Sequence, residues 1–381
     1  MKNGWKREQL GELCEILDSQ RKPITKRDRT AGKYPYYGAT GIVDYVNDFI
    51  FDEPLVLVGE DGAKWESGES TAFRVEGKCW VNNHAHVLRP HRKTVLDNWL
   101  VYFLNHSDLN EFVSGLTVPK LNQGNLRGIP IPVPPLPEQQ RIVGILDEAF
   151  AGIATAKANA EKNLKNARAL FASHLQSVFT QRGKGWEGKR LRDVSKDFGR
   201  GKSKHRPRGE PKLYGGKYPF VQTGDMSNSN HRITKYSQTY SEAGLAQSKL
   251  WPKGTICIAI VGANVGETAI LDFDACFPDS VIGVVVNEQS ADNEYVEFVL
   301  QSFKAVLKEK GKGTARDNIN IGTFEDQKFP FPKLDVQKEI VSTLNGLDEE
   351  TQRLAAHYER KLELLAALKK SLLHEAFTGQ L

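Results

Sequence analysis

Two clusters of lysine and arginine are the residues of this sequence best suited to bind a polyanion. The first cluster follows Trp5 and contains Arg21, Lys22, Lys26, Arg27 and Arg29. The second follows Trp186 and contains Arg200, Lys202, Lys204, His205, Arg206 and Arg208. Lysine and arginine contacts to phosphates supply most of the affinity of proteins for nucleic acids. Because the clusters recur at similar places, we expect both to contact phosphates and not to be solvated surface loops.

Side chains that carry both donors and acceptors suit the reading of base edges, with asparagine or glutamine on adenine and arginine on guanine. The candidates in the first half are Tyr37, Asn82, Asn83, His84, His86, Lys120 and Asn122. The candidates in the second half are Gln222, Thr223, Asn228, Asn230, His231, Arg232 and Arg316. The best single loop is 225–232. Any one of these residues could instead cap a helix or close a turn, so the prediction concerns the segments more than the individual side chains.

Metal and nucleotide chemistry is poorly supported. His84-Ala-His86 has no third ligand at metal-binding spacing, so a structural or nucleic-acid-facing role is favoured. The four cysteines form no Cys-x-x-Cys pair, and we expect reduced thiols, mostly in cores. The segment 199–203 resembles the end of a phosphate-binding loop, but Lys196 stands where the first glycine is needed. There is neither a complete Walker loop nor an Asn/Asp-Pro-Pro-aromatic tetrapeptide.

The sequence contains an internal repeat that covers most of the chain. Gln139 in the first copy matches Gln337 in the second, a lag of 337 − 139 = 198 residues that persists without insertion to Thr180 and Thr378. Earlier matches are Trp5 with Trp186, Tyr34-Pro35 with Tyr218-Pro219, and Cys79-Trp80 with Cys276-Phe277. Across these the lag drifts from 186 − 5 = 181 to 276 − 79 = 197. The globular parts have therefore diverged while the ends of the copies have not, which suggests one frame carrying two variable domains.

The C-terminal segments of the two copies, which keep the constant lag, have the apolar spacing of long helices. Residues predicted to pack helix on helix are Ile142, Leu146, Ile153 and Phe171 in the first copy, and Ile340, Leu344, Leu347, Leu354, Leu365 and Leu372 in the second. A helix of ~45 residues is roughly 65 Å long, which overhangs a domain of about 140 residues. We therefore expect the helices to pair with each other and not to pack only on their own domains. Proline-rich segments 129–137 and 328–332 precede them, with Pro137 expected at the first helical position and Asp335 at an N-cap.

The globular parts are expected to be mixed and dominated by β-structure. Short β-branched runs closed by glycine, 55–59 and 255–262, are typical of buried strands, while 97–112 and 293–310 have helical spacing. The predicted fold is α+β, with two β-rich domains and two long helices in an internal repeat. The predicted boundaries are 1–134 and 183–332 for the domains and 135–182 and 333–381 for the helices. The chain of 381 residues carries a net charge of +5 and no apolar run of 18 residues, so we expect a soluble cytoplasmic protein.

Taken together, the motifs resemble the DNA-specificity (S) subunits of type I restriction-modification systems. The resemblance covers nearly the whole chain and rests on the Trp-x4-Leu opening, the Tyr-Pro motif and the Leu-x-x-Gln-x-x-Ile-Val entry to each helix. The ending from Leu373 to Gly379 is also similar to the family. One departure is that Val336-Gln337 lacks the Pro-Glu of Pro137-Glu138, where Asp335 is expected to cap the helix instead.

The resemblance implies two target-recognition domains that each read one part of a split site in double-stranded DNA. It implies two long helices that pair antiparallel as a spacer, docking of two methyltransferase subunits, and docking of restriction subunits in the complete enzyme. Each half-site would contain an adenine that is flipped out for the methyltransferase. The family's specificity subunit has no catalytic centre, so S-adenosylmethionine, ATP and Mg²⁺ are expected on partner subunits of a prokaryotic complex and no cofactor on this chain.

Two other functions remain open from the residues alone. A stand-alone nuclease fused to recognition domains could build a metal site from scattered Asp, Glu and Lys, and would cleave DNA with magnesium as a purified chain. A coiled-coil scaffold that binds only proteins would explain the helices but not the paired basic clusters. Salt-sensitive DNA binding would argue against the scaffold. The sequence predicts neither the half-site sequences nor the length of the gap between them.

Overall fold

The computed structural model describes residues 4–115, 117–204, 207, 209–311, 319 and 321–381. The chain forms two compact units. Unit 1 contains Met1–Lys162 and Tyr358–Leu381, and unit 2 contains Asn163–His357. We call the residues of unit 1 that precede Leu136 the first domain, and those of unit 2 between Thr180 and Leu334 the second domain. Each long helix therefore contributes one part to each unit. The domain boundaries expected from the sequence stay predictions.

The described residues of unit 1 form ten short strands and several helices, which include the start of the first long helix. Its strands are β1 Lys6–Gln9, β2 Cys14–Ile16, β3 Ala31–Gly38, β4 Gly41–Val46, β5 Phe51–Asp52, β6 Leu55–Gly59, β7 Ala72–Val75, β8 Lys78–Val81, β9 Ala85–Pro90 and β10 Pro130–Val133. Its α-helices are α1 Leu10–Leu13, α2 Asp97–His106, α3 Gln123–Arg127 and α4 Leu136–Thr180, the last of which continues into unit 2.

The buried strand β6 lies at the centre of the first domain. The sheets have the orders β2-β9-β6-β7 and β4-β3-β8-β5, and β1 pairs antiparallel with β10. Side chains alternate between the faces of a strand. Accordingly Val56 and Val58 pack in one apolar cluster with α2, while Leu55 and Leu57 pack in a second cluster with β8. The run predicted as a buried strand therefore has a core on both of its faces.

Unit 2 repeats this plan with different element lengths. Its strands are β11 Glu187–Lys189, β12 Ser195–Arg200, β13 Tyr214–Phe220, β14 Arg232–Ile233, β15 Gln238–Tyr240, β16 Leu250–Trp251, β17 Ile256–Ala259, β18 Thr268–Leu271, β19 Ala275–Cys276, β20 Val281–Val286 and β21 Phe329–Phe331. Its α-helices are α5 Thr223–Ser227, α6 Glu242–Ala246, α7 Asn293–Gly311, α8 Ile321–Glu325 and α9 Leu334–Thr378, the last of which continues into unit 1.

The second domain likewise has a buried central strand, β17. Its sheets have the orders β12-β20-β17-β18-β14 and β15-β13-β19-β16, and β11 pairs antiparallel with β21. Ile256 and Ile258 point into the cluster that holds α7, and Cys257 and Ala259 point into the opposite cluster. The proline-rich segments before the long helices thus form β10 and β21, each paired with the first strand of its own domain, and are not simple linkers.

Within each unit, the long helices run antiparallel. In unit 1, Ile142 and Leu146 near the start of α4 share a core with Leu373 and Phe377 near the end of α9. In unit 2, Leu175 and Phe179 near the end of α4 share a core with Leu344 near the start of α9. Hence the α+β fold with two β-rich domains and a pair of long antiparallel helices, expected from the sequence, is confirmed.

The remaining residues predicted to pack between helices vary in burial. Ile153, Phe171, Ile340, Leu347, Leu365 and Leu372 are half-buried, and Leu354 is exposed. Phe171 and Ile340 both pack against the core of unit 2. Leu354 lines an open groove with Leu170 and Leu347. It is therefore not buried between the helices as predicted.

An aromatic junction joins each domain to a helix end. In unit 1, the Trp99 ring lies 5.6 Å from that of Trp5 and 4.9 Å from that of Phe377. Its Nε1 donates to the carbonyl of Pro132 at 2.8 Å. In unit 2, Tyr295, Trp186 and Phe179 occupy the matching places, and the Tyr295 hydroxyl donates to the carbonyl of Pro330 at 2.8 Å. The repeated Trp and Phe motifs are thus parts of the junctions.

The repeated glutamines connect each domain to the first turn of its helix. The buried Gln139 side chain accepts from Leu96 N at 2.9 Å and donates to the carbonyls of Thr94 and Pro134. The Gln337 side chain accepts from Asp292 N at 2.9 Å and donates to the carbonyl of Pro332. These bonds satisfy buried backbone groups that would otherwise lack partners. This explains why a glutamine recurs in both copies.

The starts of both long helices differ from expectation. α4 begins at Leu136, so Pro137 is its second residue and not its first. α9 begins at Leu334, so Asp335 lies in the first turn and the predicted N-cap is wrong, since Lys333 supplies the first carbonyl, to Gln337 N. At the other end of α9, Gly379 has φ +77°, the left-handed conformation that favours glycine just beyond a helix.

The four cysteines are buried, unpaired thiols. Burial raises the pKa of Cys14 to about 12 and that of Cys79 to about 11. They therefore act as small apolar core residues and not as nucleophiles or metal ligands. Among the described residues, no helix is both long and apolar enough to cross a bilayer.

Candidate nucleic-acid interface

Candidate residues of the first half that are far apart in sequence come together near the end of β6 and the start of β9. We call Arg21, Asn82, Asn83, His84, Lys120 and Asn122 the first-domain cluster. Asn82 N donates to the Tyr37 carbonyl at 3.0 Å, and Glu60 N donates to the His84 carbonyl at 2.9 Å. Leu121 N donates to the Glu60 carbonyl at 2.8 Å. These backbone bonds hold three loops and the end of β3 against one another, so the fold gathers residues that the sequence spreads over a hundred positions.

Glu60 is the electrostatic centre of the cluster. Its buried carboxylate accepts from Arg21 Nη1 at 2.5 Å and lies 2.8 Å from Lys120 Nζ. Burial raises the pKa of Glu60, but the hydrogen bonds from Lys120 and Arg21 outweigh it and hold that pKa below its usual value. Arg21 is only 12% exposed and also donates to the carbonyl of Ala85 at 2.8 Å. The structure thus uses Arg21 to brace the loops, which leaves little of its side chain for a phosphate.

The buried His86 side chain completes this network. Its Nδ1 lies 2.6 Å from Asp18 Oδ2 and its Nε2 lies 2.7 Å from the Leu121 carbonyl. Burial raises the pKa of Asp18, but the hydrogen bonds from His86 and Val87 and the charge of Arg21 hold it below its usual value. His86 therefore has a structural role, one of the two that the sequence favoured.

Asp18, Glu60 and His86 are the one group in the described part of the chain with spacing that could hold a metal ion. Their ligand atoms already face other partners. Arg21 and Lys120 occupy both oxygens of Glu60, and His86 and the Val87 amide occupy both oxygens of Asp18. An ion would have to displace two cations from a buried carboxylate, so the donor set fits an ion-pair network and not a metal site.

The outer members of the cluster leave polar groups at the surface. Asn83 is exposed, and His84 is half in solvent with Nδ1 at 2.5 Å from Asp61 Oδ1. The Lys120 ammonium is partly exposed beside Glu60. Asn122 instead caps α3, accepting from Asn125 N at 2.9 Å. Tyr37 packs its ring 5.8 Å from that of Phe73, where burial raises the pKa of its hydroxyl. Asn83, His84 and Lys120 are therefore the members most able to meet a ligand.

The basic segment beside the cluster contains an anchored arginine and exposed cations, of which Arg27 forms a solvent-exposed ion pair with Asp28 at 3.5 Å. Arg29 is mostly buried, donates to Asp44 at 3.0 Å and lies over the Tyr36 ring at 4.4 Å. Lys22, Lys26 and Arg27 are exposed, with Arg27 at 87%. The Lys22 backbone is fixed, because its carbonyl accepts from Trp80 Nε1 at 2.6 Å. The segment thus offers three cations on a held backbone.

The basic segment of the second domain is only partly described. Arg200, Lys202 and Lys204 are exposed. Arg200 Nε donates to the Asp279 carbonyl at 2.7 Å, and the Lys202 carbonyl accepts from Ser248 Oγ at 2.8 Å. His205, Arg206, Arg208 and Arg316 lie outside the described residues.

The second-half loop forms the short helix α5 followed by a tight turn. Gln222 N donates to Asp225 Oδ2 at 2.8 Å, and the Gln222 side chain donates to Gln238 at 2.7 Å. The Thr223 carbonyl accepts from Asn264 at 3.1 Å. Asn228 is exposed after the helix. Of these residues, Asn228 has the side chain most open to solvent.

The turn that follows is anchored by acids. Asn230 and His231 have φ of +45° and +64°, a conformation uncommon for residues other than glycine. His231 Nδ1 lies 3.1 Å from the buried Glu297, and Arg232 Nη2 donates to Glu294 at 2.5 Å. Burial lowers the pKa of His231, but the hydrogen bond and charge of Glu297 outweigh it and raise that pKa above its ordinary value. His231 and Arg232 therefore fix the turn to α7.

The acids that organise both regions were not among the sequence candidates. Asp18, Glu60, Glu294 and Glu297 lie in no motif, and surface carboxylates are common in any chain of this composition. The only available signal was the position of Glu60 directly after the buried run 55–59, at the end of a strand. The role of each acid depends on which cation the fold brings to it.

Comparisons with known proteins agree with this architecture. The family model described as the type I restriction modification DNA specificity domain matches twice, at residues 2–166 and 183–364. The chain is 30% identical over 362 residues to a putative type I restriction enzyme specificity subunit of Haemophilus influenzae, covering 91% of this chain and 88% of the relative. A putative specificity subunit of Methanocaldococcus jannaschii is 25% identical, over 77% of this chain and 70% of the relative.

Solved structures share the fold. A structure described as the basis of complex assembly and conformational transition of the type I R-M system aligns with a TM-score of 0.76 at 19% identity, covering 100% of this chain and 99% of the other. The HsdS subunit from Thermoanaerobacter tengcongensis aligns with a TM-score of 0.64 at 18% identity, covering 100% and 98%. With two family matches over most of its length, this chain belongs to the type I restriction-modification DNA specificity subunits.

Proposed function

We propose that this chain is the DNA-reading subunit of a type I restriction-modification complex and recognises a split site in double-stranded DNA. Each domain reads one half-site, and the helix pair sets the gap of unspecified bases between them. The observation that carries this proposal is the twofold family match, one copy on each domain. Each domain also presents exposed polar side chains beside a basic segment, as a base-reading surface needs.

Phosphates and bases would be contacted by different residues. The exposed cations Lys22, Lys26 and Arg27 in the first domain, and Arg200, Lys202 and Lys204 in the second, suit phosphate contact. Asn83, His84, Asn228 and Asn230 are exposed side chains suited to base edges. Arg21, Arg29, His231 and Arg232 would act indirectly, because each of them is paired with a carboxylate of this chain.

The partners follow from the family. Two methyltransferase subunits would dock on this chain and methylate an adenine flipped out of each half-site, and restriction subunits would join them to form the complete enzyme in a prokaryotic cytoplasm. The chain itself would not be catalytic. S-adenosylmethionine, ATP and Mg²⁺ would be bound by the partners.

The test is methylome sequencing of cells that express this chain with its partner methyltransferase. We expect one split motif with a methylated adenine in each half. Asn83→Ala with His84→Ala should relax or change only the half read by the first domain. Asn228→Ala, the matched variant in the second domain, should change only the other half. Point variants are needed because deleting residues 186–381 would also remove the part of α9 that completes unit 1.

Two results would contradict the proposal. Adenine methylation that is absent although the methyltransferase is active would exclude the specificity role. A motif that both sets of variants change in the same half would exclude one reader per domain. Cleavage of DNA by the purified chain with magnesium would instead support the nuclease alternative.

A further inference from the structure

The second domain has a long connection at a place where the first domain has a short one. Tyr36 in β3 pairs with Asp44 in β4, which leaves 44 − 36 − 1 = 7 residues between the paired positions. The matching strands of the second domain pair Phe220 with Gln238, which leaves 238 − 220 − 1 = 17 residues. The two pairs correspond because the sheets have equivalent strand orders, and because β3 and β13 each lie parallel to the strand that holds a repeated cysteine. We call residues 221–237 the long connection.

Buried side chains and strand pairing fix the long connection to its domain. Val221, Met226 and Ile233 lie in the apolar cluster that also holds Cys257 of β17. Within the long connection, β14 pairs parallel with β18, and Ser229 Oγ donates to the Met226 carbonyl at 2.6 Å. The long connection is therefore a folded part of the domain, and its exposed side chains project from a held backbone.

The long connection forms a polar cleft of about 430 Å³. All the described residues that line the cleft belong to the long connection, and the exposed ones include Asn228, Asn230, Lys235 and Tyr236. None of these four side chains forms a hydrogen bond or an ion pair within the described part of the chain. The Tyr236 ring is held edge-on to the Phe273 ring at 5.1 Å, which leaves its hydroxyl available. An exposed polar residue alone is ordinary, so the argument rests on the four in one cleft.

The charged groups around this cleft are already paired, with the exception of Lys235. Arg232 Nη2 donates to Glu294 at 2.5 Å, and Lys253 Nζ lies 2.9 Å from Asp272. Asp225 is the one acid among the described residues that line the cleft, and its Oδ2 accepts from Gln222 N at 2.8 Å. Asp225 is half-buried, whereas Lys235 is exposed on a long flexible stem. The Lys235 ammonium can therefore meet an anion outside the cleft, while Asp225 faces only groups that enter it.

We propose that Lys235 and the Tyr236 hydroxyl bind one backbone phosphate of the half-site that the second domain reads. Bound in this way, the cleft sets Asn228 and Asn230 against the base edges next to that phosphate. This rests on the proposed function of DNA reading. Lysine and tyrosine are typical donors to phosphate oxygens, whereas amide side chains offer the donor and acceptor that a base edge needs. A protein partner is disfavoured because a protein interface needs an apolar centre, and the described residues that line this cleft are polar around a single aromatic ring.

The test uses the intact complex of this chain with its methyltransferase and duplexes that carry its methylated motif. Methylphosphonate linkages, in which a methyl group replaces the charged phosphate oxygen, are placed one at a time through both half-sites. We expect the wild-type complex to lose about tenfold in affinity at a contacted linkage. At one linkage of the second domain's half-site, most of this loss should disappear in Lys235→Ala, because the variant has no ammonium to bind the charged oxygen. Tyr236→Phe should remove a smaller part, about threefold, at the same linkage.

Lys217→Ala and Tyr218→Phe are the matched controls, because this other lysine–tyrosine pair of the second domain already binds Glu242. Lys217 Nζ lies 3.2 Å from Glu242 Oε1, and the Tyr218 hydroxyl donates to the same oxygen at 2.9 Å. Both variants should keep the wild-type loss at every linkage.

A double variant tests the base-reading part. Asn228→Ala with Asn230→Gly removes both amides, and glycine accepts the φ of +45° found at Asn230. The double variant should keep the loss at the linkage bound by Lys235 and should relax the base preference at the positions next to it.

Four results would overturn the proposal. The first is that the losses from Lys235→Ala and from methylphosphonate add at every linkage, and the second is that the coupled linkage lies in the first domain's half-site. The third is that the double variant keeps the wild-type base preference. The fourth is that Lys235→Ala keeps the wild-type affinity for DNA and weakens co-elution with the methyltransferase without DNA, because the lysine would then contact protein.

Failure of the broader function is separately visible. If the wild-type complex binds the motif no better than a scrambled duplex, the DNA-reading function itself fails. If it prefers the motif while the two losses add at every linkage, only the inference about the long connection fails.

Discussion

The two domains share one junction with the helices but hold their candidate recognition loops in different ways. In the first domain, Glu60 ties Arg21 and Lys120 together within the domain's own loops. In the second, Arg232 is paired with Glu294, which also accepts from Asn345 on the long helix α9 at 2.8 Å. The first loop cluster is therefore braced inside its own domain, and the second is braced partly against the helices of unit 2.

The difference shows which parts of a duplicated protein are free to diverge. The junctions keep an aromatic residue, a proline carbonyl and a glutamine in matching places, because they connect a domain to a helix whose sequence register is invariant. The recognition loops make no contact that fixes their sequence in this way. They need only partners of opposite charge for their buried charged groups. Arg–carboxylate pairs provide it in both domains, from unrelated sequence positions.

The largest expected effect follows from breaking the shared junction. Trp99→Ala removes a fully buried indole, its two ring contacts and its bond to Pro132, and should cost about 3–5 kcal/mol in the free energy of unfolding unit 1. Tyr295→Ala should cost a similar amount in unit 2. Native-state hydrogen exchange of the backbone amides in β6 and β17 measures the two units separately.

Each of these variants is the control for the other. Trp99→Ala should lower the protection of β6 more than that of β17, and Tyr295→Ala should do the reverse. Equal loss in both strands for either variant would mean that the two units unfold as one, and the comparison between them would not hold.

A smaller effect separates Glu60 of the first domain from Glu297, the buried acid that holds His231 in the second. Glu60→Gln should cost about 2–3 kcal/mol in unit 1, because hydrogen bonds to charged groups are worth about 1.5–3 kcal/mol and the solvent around Lys120 weakens its share. Glu297→Gln should cost about 1 kcal/mol in unit 2, because three donors share one of its oxygens and two of them, from Thr268 and Gln301, are neutral. Urea unfolding monitored at each unit measures both losses.

Glu76→Gln is the control for this pair, since the exposed Glu76 pairs with Arg74 at 2.6 Å and its removal should cost less than about 0.5 kcal/mol. If Glu297→Gln proved as costly as Glu60→Gln, the expectation that Glu60 contributes more to stability than Glu297 would be wrong.

Most of the frame was predictable from the sequence, and the braces were not. The repeat at constant lag and the apolar spacing predicted the long helices because both signals are local and periodic. The helix start at Leu334 was missed because Asp335 has the chemistry of an N-cap, while the true choice depended on the fixed pairing of β21 before it. Arg21 and Arg232 were predicted to bind DNA because a basic residue reads the same in sequence whether or not the fold gives it a carboxylate.

The smallest effect is a difference in pH response. In the second domain Glu297 raises the pKa of His231, so this pair stabilises the fold fully below the unfolded pKa of about 6.5 and loses that contribution as pH rises through the folded pKa. In the first domain the pKa values of Asp18 and Glu60 are lowered, so their contribution is present above about pH 4 and is lost on acidification. Raising the pH from about 6 to about 7.5, below the range in which the buried thiols of either unit matter, should therefore weaken the protection of β17 slightly. It should not weaken β6, because burial lowers the pKa of His106 in unit 1 and its unfavourable protonation is relieved over the same range. The effect is small because His231 is 41% exposed and solvent screens the pair.

Hydrogen exchange corrected for its intrinsic pH dependence measures this change in the protection of β17, and Glu297→Gln should abolish the change. A pH response in β17 that survives that substitution would assign it to a group other than His231.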